Sequence, residues 1–239
     1  MSELIASTQR LSRELKPLQF GAPAVWAYRP LEYAWKSHEV YLKRFGQGRK
    51  RVVFLGMNPG PYGMVQTGVP FGEIPAVRDW MGICESVGKP EKEHPKRPVD
   101  GFDCQRSEVS GRRFWGLFAE RFGSAEAFFK EHFVLNFCPL VWMSETGANI
   151  TPDKLSAADM KPVEEICMKH LIEVIQLLNP EYLIGVGVFA EQRLQKAAKE
   201  MGCDAKIGRV LHPSPASPAA NRGWAEAATQ QLLAQGVWL

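Results

Sequence analysis

The chain has 239 residues, 45% of them hydrophobic and 23% charged, a balance that suits a folded protein with a sizeable core. A formal charge of +3 permits contact with a polyanion without demanding it, and the apolar stretches fall short of a membrane span. The five cysteines form neither a C-x-x-C pair nor a zinc-ligand pattern with histidine, so no metal site or iron–sulfur cluster is expected. Their odd number, and the lack of a basic-then-apolar leader, point to an intracellular protein with free thiols.

In chain order, residues 4–20 and 32–46 carry apolar positions at helical spacing, which predicts a helical segment over about 1–48. The first strand is Arg51-Val52-Val53-Phe54-Leu55, apolar and β-branched. A helical pattern over 75–88 follows, and the polar, proline-containing stretch 89–110 reads as a long connection. Helices near 112–122 and 125–131 lead to a second strand, Phe133-Val134-Leu135-Asn136-Phe137. After a loop around 143–157, an amphipathic pattern runs over 160–178 and stops at Asn179-Pro180. A strand over 182–186, a helix over 189–201, a strand around 206–211, a proline-rich loop and a helix over roughly 219–235 complete the chain. Strands alternating with helices imply a three-layer α/β/α fold: a central, mainly parallel four-stranded sheet in one domain spanning 1–239.

In an open parallel sheet, the loops leaving the carboxyl ends of the strands line one crevice. Two loops here are distinctive: Gly56-Met57-Asn58-Pro59-Gly60-Pro61-Tyr62-Gly63 and His212-Pro213-Ser214-Pro215. The glycines and prolines of the first give a fixed shape and let a ligand approach the backbone. It lacks the lysine and hydroxyl of a P-loop, and a tight turn merely capped by Asn58 is the plain alternative. Asn136 puts an amide into an apolar run, where an unpaired side chain is costly; it either bonds neighbouring backbone or presents a donor and an acceptor to a ligand. His212 ends the fourth strand, where an imidazole can donate to a developing oxyanion or simply bond to backbone. The other histidines, His38, His94, His132 and His170, are expected at the surface or the core edge. The basic run Lys43, Arg44, Arg49, Lys50 and Arg51 reads as a solvated face at the opposite end of the sheet, leaving Arg106, Arg112 and Arg113 as better polyanion contacts.

Gly185-Val186-Gly187-Val188-Phe189-Ala190 fits a dinucleotide-binding pattern between strand and helix. The acidic residue that should end the next strand is missing, since His212 stands there and Asp204 precedes the strand. Close strand–helix packing is the preferred reading of these glycines.

The first loop, the following Gln66-Thr67-Gly68-Val69-Pro70-Phe71-Gly72-Glu73 and His212-Pro213-Ser214-Pro215 closely resemble the single-strand-selective monofunctional uracil-DNA glycosylases of the uracil-DNA glycosylase superfamily. Ser107-Glu108-Val109-Ser110-Gly111 with Phe114-Trp115, Asn136-Phe137-Cys138-Pro139-Leu140, Ala190-Glu191-Gln192-Arg193 and Asn221-Arg222-Gly223-Trp224 extend the resemblance over most of the chain from about residue 50. It implies a monofunctional, cofactor-free enzyme of base-excision repair that flips uracil out of single- or double-stranded DNA and hydrolyses its N-glycosidic bond, leaving an abasic site. 5-Hydroxymethyluracil is implied as a second substrate. Asn58 would position the attacking water, His212 stabilise the departing base and Asn136 read its edge. Phe71, expected on an exposed loop, would stack on the base, and Met57, Gly60 and Met64 would shape the wall around its C5 substituent.

Ser214, Pro215, Ala216 and Arg222, with Arg112 and Arg113, are the expected DNA contacts. The family usually carries an arginine wedge just after His-Pro-Ser-Pro, where this chain has Ala216, so a weaker preference for paired uracil is expected, with Arg222 the substitute wedge. The expected state is a monomer, in the cytoplasm or nucleoid of a prokaryote or the nucleus of a eukaryote. The alternatives are a mismatch-specific uracil glycosylase, a non-catalytic damaged-DNA-binding domain and, last, a dinucleotide-dependent oxidoreductase.

Overall fold

The structure, a computed structural model, describes residues 2–239. Its first helix, α1 (Glu3–Leu15), starts because Ser2 caps it, accepting from the Ile5 N–H, and buries Leu4, Ile5, Leu11 and Leu15. Strand β1 (Trp26–Tyr28) and helices α2 (Pro30–Tyr33) and α3 (Trp35–Phe45) follow, so the N-terminal segment is not wholly helical as the spacing predicted. The missed β1 is three residues long and pairs antiparallel with β4 (Val141–Met143), itself paired with β5 (Asn149–Ile150). Strands that short carry no readable alternation, and the partner of β1 lies more than a hundred residues away.

The main sheet is parallel throughout. Strands β2 (Val52–Gly56), β3 (His132–Asn136), β6 (Tyr182–Val186) and β7 (Lys206–Val210) lie in the order β3-β2-β6-β7. The register pairs Gly56 with Asn136, Leu55 with Gly185 and Val186 with Val210, so all four strands end along one edge. Chain order reverses across β2 and β6, which makes the crevice beyond their carboxyl ends the topological switch point.

Helices cover both faces. Phe54 meets Phe114 and Phe118 of α5 (Val109–Phe122) and Phe128 of α6 (Ala125–Phe129), and α10 (Trp224–Ala234) joins this layer through α5 and β7. On the other face, Tyr41 of α3 stacks on Phe133, α8 (Val188–Met201) packs on β6, and α7 (Ala157–Leu178) packs on α8 and α1. The start of α7, three residues ahead of the amphipathic pattern, is set by Ser156, whose hydroxyl accepts from Asp159 N–H. It stops at Asn179 in a left-handed cap, followed by Pro180. Two short helices, α4 (Met64–Thr67) and α9 (Pro218–Asn221), sit beside the crevice loops.

The helix expected over 75–88 reduces to one wide turn, Ala76–Trp80. Gly82 adopts φ +63° beyond it, and buried Met81 and Ile83 flank exposed Gly82 where regular structure ends. Val77 and Met81 keep a helical spacing, but Ile83 follows Met81 by two, past the point where the helix would continue.

Two further expectations are corrected. Lys50 lies 5% exposed with Nζ donating to the Phe129 carbonyl, and Arg44 and Arg51 pair with Glu126 and Glu131, so the basic run is largely tied to the protein. The four remaining histidines are all buried. Ring N–H groups of His38, His94 and His132 donate to the carbonyls of Gly68, Glu145 and Phe128, and His170 bonds Ser7. Burial holds His38, His132 and His170 down at about 4, below the ordinary 6.5. The unfolded chain therefore binds more protons in that window, so stability is full above pH 6.5 and is lost as pH falls towards 4. The unfolding free energy from urea titrations should decline from pH 7 to pH 5, by up to about 1.4 kcal/mol per pH unit per histidine; a flat value would contradict this.

Candidate active site

The crevice begins at Gly56. A Cβ there would fall on the Asn136 Oδ1 atom and the edge of the Phe71 ring, so the missing side chain is what lets the amide and the ring meet. Gly56→Ala should drive both apart and lower turnover at least tenfold while the chain still folds, since overpacking typically costs about 1–3 kcal/mol. Turnover and melting temperature measured together check this, and unchanged turnover would refute it.

Beyond the strand ends the ladder continues: Phe137 N–H donates to the Gly56 carbonyl and Cys138 N–H to that of Met57. This fixes Asn58 relative to Asn136. The Asn58 Nδ2 donates to the Leu140 carbonyl at 3.2 Å, with the Pro59 carbonyl at 3.5 Å. Carbonyls only accept, so the amide nitrogen must face them and Oδ1 is left as the free acceptor.

Asn136 is not bonded to neighbouring backbone. Its Nδ2 meets only the Met64 Sδ, at 3.5 Å, a weak acceptor. Phe71 lies beside it with φ +53°, a left-handed conformation costly for a bulky residue. It is held there by contacts on every side: Glu73 N–H donates to its carbonyl at 2.7 Å, Trp115 Nε1 donates to that of Pro70, and Thr67 Oγ1 to that of Gly72. Its ring stacks on Phe114 with centroids 4.4 Å apart and planes 14° apart. The loop is not exposed as expected, because Val69, Pro70 and Gly72 are all buried and only Phe71 reaches the surface in part.

His212 lies two residues past β7, two strand positions from β2, or about 10 Å across the sheet. Its Nδ1 accepts from Ser214 N–H at 3.1 Å, so the neutral ring carries its proton on Nε2. Burial lowers its pKa, keeping it neutral. The strand end is anchored by Gln231 Oε1 accepting from Leu211 N–H and by Trp224 Nε1 donating to the Leu211 carbonyl.

Gly187, at φ +91°, would bring a Cβ within 3.2 Å of the His212 Cβ, and one at Gly185 would run into the Glu191 backbone. Both glycines of the dinucleotide-like pattern are accounted for by packing. Among the described residues, no group of three or more His, Cys, Asp or Glu is placed to hold a metal, and no helix is long and apolar enough to cross a membrane.

The polymer-contact candidates divide. Pro215, Ala216, Arg112 and Arg222 are exposed and Ser214 is half-buried, its hydroxyl accepting from Ala216 N–H. Arg113 instead ties α5 to this loop, donating to the Pro213 carbonyl and to the Asn221 Oδ1. Arg106 lies 5.4 Å over the Tyr62 ring. Met57 and Gly60 are half-buried on the first loop, and Met64 is buried at the start of α4.

Two residues that sequence reasoning passed over hold the first loop. Gln66, 1% exposed, donates to the carbonyls of Pro61 and Pro98 and accepts from the N–H groups of Asp100 and Gly101. Glu108 lies under Gly60 and Gly63. Burial pushes its carboxyl up, aided by Glu73, while the N–H groups of Ser110 and Tyr62 favour the ionised form. Both stand in quoted motifs, but nothing in a linear sequence shows that the 89–110 connection folds back onto the first loop and its following helix.

The profile of the Uracil DNA glycosylase superfamily matches residues 43–234. A protein of Rattus norvegicus named single-strand selective monofunctional uracil-DNA glycosylase is 48% identical over 228 residues, covering 95% of this chain and 82% of its own. Its namesake from Bos taurus is 47% identical, with 95% and 84% covered. The crystal structure of wild-type SMUG2 from Pedobacter heparinus superposes with TM-score 0.69 at 20% identity over 99% of this chain and 98% of that one, a likeness of fold. With profile and relatives agreeing over nearly the whole length, the chain belongs to the uracil DNA glycosylase superfamily.

Proposed function

We propose that this protein is a monofunctional DNA glycosylase that releases uracil, and 5-hydroxymethyluracil, from DNA. The observation that carries this reading is Asn136, whose amide is spared by the backbone and stands beside Phe71 over a bare Gly56. Uracil presents an N3–H donor next to its O4 acceptor, which an amide oxygen and nitrogen match. Cytosine reverses the pattern and would leave buried groups unpaired. Phe71, its ring backed by Phe114, supplies a stacking face at roughly 1–3 kcal/mol.

Cleavage breaks the C1′–N1 bond, its electron pair passes to the base and is shared onto O2, and the sugar becomes cationic. The His212 Nε2–H donates to O2 as that charge develops. The free Oδ1 of Asn58 accepts from a water that then adds to C1′ and releases a proton, and the departing uracil anion takes up a proton to leave as neutral uracil. An amide orients water but is no strong base, so the bond largely breaks before water attacks. The first loop has no lysine to form a Schiff base, so strand scission is left to later steps.

Single-turnover assays on uracil in single strands, U·G and U·A duplexes test this reading. Release from the single strand is expected; release only opposite guanine would favour the mismatch-specific alternative, and binding without release the non-catalytic one. Ala216 is exposed on the loop that follows His212, where it offers no wedge. Ala216→Arg should therefore raise release from U·A duplex at least tenfold relative to single strand, as unstacking costs a few kcal/mol. An unchanged ratio would shift attention to Arg222.

A further inference from the structure

The three-stranded sheet β1-β4-β5 and the long 89–110 connection take no part in the chemistry above, yet they meet at a closely held turn. His94, 3% exposed, opens it. Its Nε2–H donates to the Glu145 carbonyl, between β4 and β5, at 3.0 Å, and its Nδ1 accepts from Lys96 N–H at 3.0 Å. From β1, the Tyr28 hydroxyl accepts from His94 N–H at 2.7 Å and donates to the Arg97 carbonyl at 2.8 Å. Gln66 ties the far side of the turn to the first loop by donating to the carbonyls of Pro61 and Pro98. With its backbone bonded from both sides, the turn sets Lys96 and Arg97 beside the loop that carries Asn58.

Tyr62 is the meeting point. The Arg97 guanidinium lies 5.7 Å over its ring and donates to its hydroxyl at 3.0 Å, and the Arg106 guanidinium lies 5.4 Å over the same ring. Nearby carboxylates are committed elsewhere: Glu93 and Asp100 face Lys89, and Glu108 accepts from the N–H groups of Tyr62 and Ser110. Among the described residues none lies within ion-pair distance of Lys96, Arg97 or Arg106, and the buried Arg97 Nε has no acceptor. Unpaired cations gathered round an aromatic ring are what tracks a single strand, charge meeting the phosphates and ring faces the bases. The first loop leaves β2, whereas the His212 loop leaves β7, two strand positions away. Resting on the glycosylase reading above, we infer that Lys96, Arg97 and Arg106, ordered around Tyr62, bind phosphates of the DNA strand on the side of the flipped nucleotide away from the His212 loop. Phosphate contacts fix register and orientation without reading sequence, so this surface serves whatever bases flank the uracil.

The test measures binding of a single-stranded oligonucleotide carrying a tetrahydrofuran abasic analogue, which cannot turn over, across a salt series. Wild type, Lys96→Ala, Arg97→Gln, Arg106→Gln and Lys199→Ala are compared, with melting temperatures and uracil release alongside. Each of the first three variants should flatten the slope of log K against log salt by about 0.7 and weaken binding about fivefold at about 0.1 M salt, the share of one phosphate contact on a single strand. Lys199, exposed near the C-terminal end of α8 and so at the opposite end of the sheet, should leave slope and affinity as in wild type when replaced. Lys96 is exposed, so its variant keeps the test readable where an arginine variant folds poorly. Wild-type slopes in all three variants, or weaker binding with an unchanged slope, would make the turn a loop support only and overturn the inference. A wild type that binds with the expected slopes but releases no uracil would overturn the proposed function and leave the strand surface standing.

Discussion

Replacing His212 with alanine should slow single-turnover uracil release by about 10²–10³-fold, the usual consequence of removing one donor to a developing oxyanion. The size of the effect follows from how the ring is prepared. Ser214 N–H occupies Nδ1, burial keeps the ring neutral, and Gly187 packs against its Cβ, so the Nε2–H is aimed before the charge appears. His212→Gln, which retains a donor with less fixed placement, should recover part of the loss. Nearly full activity in His212→Ala would remove the histidine from the chemistry and leave the leaving base without its assigned partner.

Asn136→Asp should be comparably damaging to uracil release, for a different reason. The carboxylate keeps the volume of the amide but turns its one available donor into a second acceptor, so O4 of uracil would meet a negative charge. Leaving buried polar groups unpaired costs about 1–3 kcal/mol each and more for charged ones, which corresponds to a loss of about 10²-fold or greater. Because Nδ2 meets only the Met64 sulfur, the folded protein loses little, and its melting temperature should shift by no more than a few degrees. Equal losses of stability and turnover would instead mark Asn136 as a structural amide.

Much of this was legible in the chain. The four strands of the main sheet fall within a residue of the runs that predict them, three of them because buried parallel strands read as continuous apolar runs, and the edge strand β7 despite exposed Lys206 and Arg209. Once they are parallel, topology alone carries Asn58, Asn136 and His212 to one edge, so residues more than 150 positions apart could be grouped from sequence. What stayed hidden depends on contacts that no local pattern encodes. The β1-β4-β5 sheet is made of two- and three-residue strands, and the turn at Gly82 imitates helical spacing. The proline and glycine neighbours of Phe71 suggest an exposed loop, whereas Thr67 and Trp115 hold those neighbours inward and Phe71 adopts a left-handed backbone conformation. Buried histidines were missed because each is paid for by one carbonyl or hydroxyl remote in sequence or a turn away. Arg113, a surface cation by sequence, is a brace for the His212 loop.

In the proposed mechanism an oriented water hydrolyses the N-glycosidic bond of uracil with no covalent enzyme intermediate. The most direct measurement incubates the wild-type protein, in the presence of a chelator, with a single-stranded oligonucleotide containing one uracil, then assays free uracil by chromatography and strand breaks before and after alkali. Free uracil is expected in equal amount to abasic sites that break only on alkali treatment. Strand breaks without alkali, or no free uracil from a folded protein that binds the oligonucleotide, would contradict it.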